Sequence, residues 1–242
     1  DMGFYEDLMR IIGFLPKNRQ TLMFSATMPP KIRKLAKDIL QDPQEISIAI
    51  SKPAEKVVQV AFNTYNNQKI GLVKHLLRFN DIPSMVIFAS TKIKVKELTR
   101  ELQREKMNAK PISSDLEQKD REDILREFKS RKLQILVATD VISRGIDIDN
   151  IDMVINYDVP NDAEDYIHRI GRTARASSEG EAVTFINEED QFKFSKIEEL
   201  LGSAVRKIAL PEFLGEAPVY DPIKNKGKGK RPFGNKKGFK RR

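Results

Sequence analysis

The run Gln134-Ile-Leu-Val-Ala138 is the most apolar of the strand candidates in the chain, and Thr139-Asp140 follows it directly. A short apolar run without polar alternation fits a strand covered on both faces, as in a parallel sheet, better than one with a wet side. Met85-Val-Ile-Phe88 reads the same way, and Ala109–Ile112, Met153–Tyr157 and Ala182–Ile186 are further candidates. Val57 to Tyr65 carries strand periodicity. Between these runs lie segments of helical period: Lys69–Phe79 with Ile70, Val73 and Leu76–Leu77 on one face, a helix from Thr91 to about Lys106, Leu116–Lys129 and Glu189–Leu201. Parallel strands need crossover helices, so this alternation predicts an α/β fold, a doubly wound parallel sheet.

Such sheets hold their ligands at the carboxyl ends of the strands. Thr139-Asp140 stands at one such end, and Ser143-Arg144-Gly145-Ile146-Asp147 lies just beyond. Gly145 allows close backbone approach. Asp147 can accept from ribose hydroxyls; taken alone it reads first as a turn residue before Asp149-Asn150. Thr139 also suits a helix cap. After Ile112 come Ser113-Ser114-Asp115 and then Gln118-Lys-Asp-Arg121, where Gln and Arg three apart on the first turns can share a phosphate. An ordinary solvated helix start has the same spacing. Each feature is weak singly; four loops converging on one sheet edge are stronger.

The segment Tyr166-Ile-His-Arg-Ile-Gly-Arg-Thr-Ala-Arg175 places Arg169, Arg172 and Arg175 at every third position. On a helix, neighbours in that series share a face, and the guanidinium fork matches phosphate oxygens. A solvated basic face is the alternative. Asn161 or Asp162 can cap the helix, with Glu164 and Asp165 in its first turn, so the arginines fall at its far end. His75 and His168 are the only histidines and suggest no metal site; His75 reads as a partly exposed surface residue.

His168-Arg-Ile-Gly-Arg-Thr-Ala-Arg175 resembles the sixth motif of the DEAD-box RNA helicases of superfamily 2, and Ala138-Thr-Asp-Val-Ile-Ser-Arg-Gly-Ile-Asp147 resembles the fifth. Val86-Ile-Phe-Ala-Ser-Thr-Lys92 is similar to the fourth, Gln118–Arg121 to the glutamine-arginine element after it, and Ser25-Ala26-Thr27 to the third. Departures are modest: Ala174 stands where glycine is usual, Ile142-Ser143 where two small residues are, and Ser113-Ser114 where His-Gly is. The resemblance implies two RecA-like domains of the P-loop NTPase fold, with ATP between them and RNA across both. It implies catalytic roles for Arg172 and Arg175 at the γ-phosphate and a nucleotide contact for Asp147 with Gly145. Gln118, Arg121, Thr139, Gly145, Thr91 and Lys92 would hold RNA, while Ser25, Thr27, Arg144, His168 and Arg169 would couple the two domains. ATP with Mg²⁺ is the implied cofactor set, and the partner is RNA bound largely without regard to sequence.

The 242 residues contain no Gly-x-x-x-x-Gly-Lys-Ser/Thr phosphate loop and no Asp-Glu-Ala-Asp motif. The expectation is therefore a remnant of the first domain over residues 1–50, a linker at 51–56, the helicase C-terminal domain at 57–209 and a disordered tail at 210–242. Within the remnant, an apolar helix near Leu8–Ile12, strands at Gln20–Phe24 and Gln44–Ile50, and a helix opened by Pro29-Pro30 are expected. As it stands, such a polypeptide is expected to lack turnover, and an RNA-binding module or chaperone is the competing reading. Cysteine is absent, which excludes disulfides and thiolate sites. No apolar run reaches transmembrane length, and a cytoplasmic protein is expected. The formal net charge of +8 comes from the end of the chain: residues 222–242 hold ten Lys or Arg and no acid, leaving 33 basic against 35 acidic residues elsewhere.

Overall fold

The computed structural model describes residues 4–25, 28, 30–47, 57–79, 82–140, 148, 151–173 and 180–223. The chain divides into two units, Asp1–Ser51 and Lys52–Arg242. In the first, helix α1 spans Tyr5–Gly13 and helix α2 spans Pro30–Ile39. The Tyr5 hydroxyl donates to Asp38 Oδ2 at 3.2 Å, and Arg33 pairs with Glu45 at 3.0 Å. The strands expected at 20–24 and 44–50 are not found where the chain is described: residues 20–24 and 44–47 are irregular. A strand exists only through ladder partners, and among the described residues none meets residues 20–24; Phe24 stands 91% exposed.

The second unit realises the alternation. Its elements are β1 Val57–Asn63, α3 Lys69–Phe79, β2 Met85–Phe88, α4 Lys92–Arg104, β3 Ala109–Ile112, α5 Gln118–Lys129, β4 Ile135–Ala138, β5 Met153–Asn156, α6 Ala163–Ile170, β6 Gly180–Ile186, α7 Gln191–Leu201 and β7 Arg206–Ile208. The seven strands form one sheet in the order β3-β4-β2-β5-β6-β1-β7, and every pairing is parallel. The doubly wound parallel sheet is thus present. All four residues of β2, β4 and β5 are buried, as strands covered on both faces must be.

Alternating side chains feed two layers. Met85, Ile87, Ile135, Val137, Met153 and Ile155 pack toward Leu72, Val95, Leu98 and Leu102 of α3 and α4. On the other face Val86, Leu136 and Val154 meet Phe128 of α5, while Ala61, Ala182 and Ile186 meet Tyr166 of α6 and Phe194 of α7. The register aligns Ile112, Ala138, Phe88 and Asn156 across four adjacent strands, so the loops that follow them leave from one rim.

Two elements escape the sequence pattern. Strand β7 pairs with β1, and its Arg-Lys-Ile is too short and too polar to announce itself. Beyond it, residues 210–223 are not the disordered tail expected there. Leu210 and Leu214 pack on the α3–α4 layer, a 3₁₀ turn spans Glu212–Leu214, and Tyr220 packs on the α6–α7 layer. Buried Gln68 donates from Nε2 to the carbonyls of Leu214 (2.8 Å) and Glu216 (2.9 Å). Buried Gln191 donates to the Val219 carbonyl (2.7 Å) and accepts from the Asp221 N–H (2.8 Å). The strap lies so close to α3 that a Cβ on Gly71 would meet Leu214 Cδ2 at 2.7 Å. The remainder of the tail, 224–242, lies outside the described residues.

Candidate functional site

The arginine segment is anchored first by its tyrosine. Tyr166 is fully buried, donates to Gln59 Oε1 at 3.0 Å and meets the Phe194 ring edge-on. Asp162 opens α6 in extended geometry, accepting the Asp165 N–H (3.1 Å) on its main-chain carbonyl, with Glu164 and Asp165 in the first turn. One turn further, Arg169 is directed inward and only 1% exposed. Its Nε donates to Asp140 Oδ1 at 2.6 Å, and its Nη1 donates to Asn156 Oδ1 (2.9 Å) and the Asp158 carbonyl (3.0 Å). The guanidinium also lies 5.1 Å from the centre of the Phe88 ring. This one side chain therefore ties together the ends of β2, β4 and β5.

That finding corrects the expectation of three arginines sharing one ligand-facing stripe. The helix stops at Ile170, Arg169 is spent inside the protein, and Arg172 sits on the turn that follows. Gly171 caps the helix with its N–H on the Ile167 carbonyl (2.8 Å), and a Cβ there would stand 3.0 Å from that oxygen. The Arg172 N–H bonds the Arg169 carbonyl (3.2 Å), its own carbonyl accepts from Ile151 (3.3 Å), and Thr173 bridges to Ile151 in parallel fashion. Arg172 also lines a small cavity of about 20 Å³ with Phe88, Ala138 and Ile151, which sets its root over the ends of β2 and β4. Arg175 lies outside the described residues, as do Thr27, Arg144, Gly145 and Asp147.

The neighbouring loops supply the rest of the rim. Thr91 caps α4, its side chain accepting the Lys94 N–H at 3.2 Å. Lys92 and Lys96 both reach the Asp115 carboxylate, binding the start of α4 to the loop after β3. Gln118 and Arg121 stand on the first turn of α5: Arg121 Nη1 approaches Gln118 Oε1 at 3.4 Å, while its Nε is buried with no hydrogen-bond partner among the described residues. Thr139 is buried immediately past β4. His168 is half-buried on α6, and Ser25 is exposed in the first unit. Structure thus brings Thr91, Lys92, Gln118, Arg121, Thr139, Arg169 and Arg172 to four adjacent strand ends.

Sequence reading missed Asp158. Its carboxylate, 4% exposed, accepts from Lys69 Nζ (3.0 Å), Lys94 Nζ (2.9 and 3.0 Å) and the Ser90 N–H (2.9 Å). Burial works to raise its pKa, but the charge of Lys69 and the bonds from Lys94 and Ser90 prevail and hold the carboxyl well below the usual range. Lys69 bears the burial cost, which pulls its ammonium below the ordinary lysine value against the attraction of Asp158. An Asp three residues before a turn gave no signal that distant lysines would close on it.

Residues 68–177 match the model of the helicase conserved C-terminal domain. The chain is 39% identical over 212 residues to the ATP-dependent RNA helicase DbpA of Bacillus subtilis, a match covering 87% of this chain and 44% of that protein. It is 40% identical over 215 residues to the ATP-dependent RNA helicase DBP2 of Gibberella zeae, covering 86% and 38%. The chain belongs to the DEAD-box RNA helicase family. Among solved structures, S. cerevisiae Dbp5 bound to RNA and ADP BeF3 superposes with a TM-score of 0.76 at 29% identity, over 86% of this DEAD-box chain and 56% of that one. A DEAD-box protein from Methanococcus jannaschii gives 0.61 at 37% identity, over 86% and 56%. The sheet described above is therefore the RecA-like fold of these proteins. The chain spans less than half the length of the curated relatives it matches.

Proposed function

We propose that these residues form the second RecA-like half of an ATP-dependent RNA helicase, completing an ATP site built mainly by a first half and gripping the RNA backbone. The observation that carries this reading is the Arg169 anchor, which fixes the Gly171–Arg172 turn to the ends of β2, β4 and β5. Phosphoryl transfer is catalysed chiefly by positioning and by neutralising charge on the transferred group. A guanidinium whose main chain is pinned to the sheet can deliver its fork without reorganising, which suits Arg172 to the γ-phosphate. In this reading Arg175 joins it, and Asp147 with Gly145 receives the nucleoside. Arg169, with Ser25, Thr27, Arg144 and His168, serves coupling between the halves, in its case by holding the turn in place.

The RNA-facing set would be Thr91, Lys92, Gln118, Arg121, Thr139 and Gly145. Arg121 supports it: its Nε is buried without a partner among the described residues, and an unpaired buried donor on an arginine is costly unless a ligand atom meets it. Contacts of this kind address phosphate and sugar, so recognition would be largely independent of sequence. Mg²⁺ does not fit the described residues, which hold no cluster of three or more His, Asp or Glu able to bind a metal ion. Its ligands would belong to the first half.

The test is ATP hydrolysis with and without single-stranded RNA, measured on the chain joined to its first half and on the chain alone. Hydrolysis stimulated by RNA in the first case and none in the second is expected. RNA binding with no stimulated hydrolysis in the joined protein would instead make the chain an RNA-binding module.

A further inference from the structure

Asp158 carries two parts of the candidate site at once, one on its side chain and one on its main chain. Its carboxylate receives the Ser90 N–H at 2.9 Å and Lys94 Nζ at 2.9 and 3.0 Å, which fixes the loop leading into Thr91 and Lys92. Its carbonyl receives Arg169 Nη1 at 3.0 Å, which fixes the helix that ends at the Arg172 turn. Lys69 closes the group from beneath, donating to Asp158 Oδ1 (3.0 Å) and to the Tyr157 carbonyl (2.8 Å). The two lysines differ in setting: the side chain of Lys69 is 1% exposed and that of Lys94 40%. A buried carboxylate with every partner in place has little room to shift alone, because leaving any of its donors unpaired is costly. Movement of the Ser90–Lys94 segment must therefore carry Asp158 with it, and Asp158 carries Arg169.

We propose that Asp158, clamped by Lys94, is a positioning residue that couples RNA at the Thr91–Lys92 loop to the nucleotide-facing turn at Arg172. The inference rests on the helicase reading above. Coupling between two ligands is reciprocal and is measured as a ratio of affinities. A residue that merely stabilises the fold, or merely adds positive charge near RNA, changes the affinities without changing that ratio.

The experiment uses the protein with its first half present. Affinity for a fluorescent non-hydrolysable ATP analogue is measured with and without single-stranded RNA, in wild type and in Lys94→Ala, Lys94→Arg, Asp158→Asn and Lys96→Ala. Lys96 lies on the same helix but pairs with Asp115, so it controls for charge. Lys94→Ala and Asp158→Asn should cut the RNA-induced tightening by about fivefold or more. Lys94→Arg should restore most of it, and Lys96→Ala should leave it intact. Should Asp158→Asn fail to fold, Lys94→Ala decides, since its exposed side chain leaves the buried Lys69–Asp158 pair in place. Retention of the full ratio in Lys94→Ala would overturn the coupling role, even if both affinities fell together. Absence of RNA-induced tightening in wild type would overturn the helicase reading itself, and the coupling with it.

Discussion

Arg169 and Asp140 form an ion pair across the carboxyl end of the sheet, with Arg169 Nε 2.6 Å from Asp140 Oδ1 and the arginine 1% exposed. A guanidinium buried this completely is tolerable only because the Asn156 side chain and the Asp158 carbonyl take its other donors. Removing one partner strands the other. Asp140→Ala or Arg169→Ala should each cost about 3–5 kcal/mol of stability. Arg169→Lys should recover little, because an ammonium cannot reproduce the planar fork. Thermal unfolding reads this directly; a loss under about 1 kcal/mol would show that the pair is not a structural anchor.

Acid sensitivity follows from Asp158. Its pKa is depressed in the folded state by Lys69, Lys94 and Ser90, which outweigh burial, so its contribution is present above the unfolded-state value of about 3.9 and is lost as pH falls below it. Stability measured by urea unfolding should drop from about pH 4 downward, and Asp158→Asn should flatten that part of the profile. An equally steep acid limb in the variant would assign the loss to other carboxylates.

The strap over α3 predicts an asymmetric response to truncation. A chain ending after Ile223 keeps every described contact of the strap and serves as the reference. Ending it after Ala209 removes Leu210, Leu214, Tyr220 and the bonds to Gln68 and Gln191, and should cost several kcal/mol, about 1–3 kcal/mol for each buried polar group left unpaired. Equal stability of the two truncations would mean that the strap does not hold the domain.

The sheet was legible because its strands are continuous apolar runs punctuated by helices of clear period; β2, β4 and β5 fall where Met85–Phe88, Gln134–Ala138 and Met153–Tyr157 predicted them. The placement of Thr139, Gln118 and Arg121 at the rim was legible as well, because Thr139 follows β4 directly and the other two open the helix after β3. What escaped depends on distant partners. Spacing alone put Arg169 beside Arg172 on one face, yet Asp140 and Asn156 draw it inside. Residues 210–223 carry Leu210, Phe213, Leu214, Val219 and Tyr220 among three prolines and no helix or strand period, and two buried glutamines capture their backbone. Such capture leaves no periodic mark. The expected strands at 20–24 and 44–50 had suitable composition, but residues 20–24 and 44–47 have no ladder.

The end of the chain carries a separate expectation. Residues 222–242 hold ten Lys or Arg, four Gly, Phe233 and Phe239, and no acidic residue. Basic arms bind nucleic acid through counterion release, and aromatic rings can stack on unpaired bases. Deleting residues 224–242 should weaken RNA binding several-fold at low salt and flatten the slope of log K against log salt by several units, equally for RNAs of unrelated sequence. An unchanged slope would place all the binding in the folded domain.

The most direct test of the account is the turnover of an Arg172→Ala enzyme in the presence of saturating ATP and RNA. With the first half present, the RNA-stimulated kcat should fall by about 100-fold or more while RNA affinity stays within about twofold, and Arg172→Lys should not restore it. Turnover at the wild-type rate in either variant would contradict the assignment of Arg172 to the transferred phosphate.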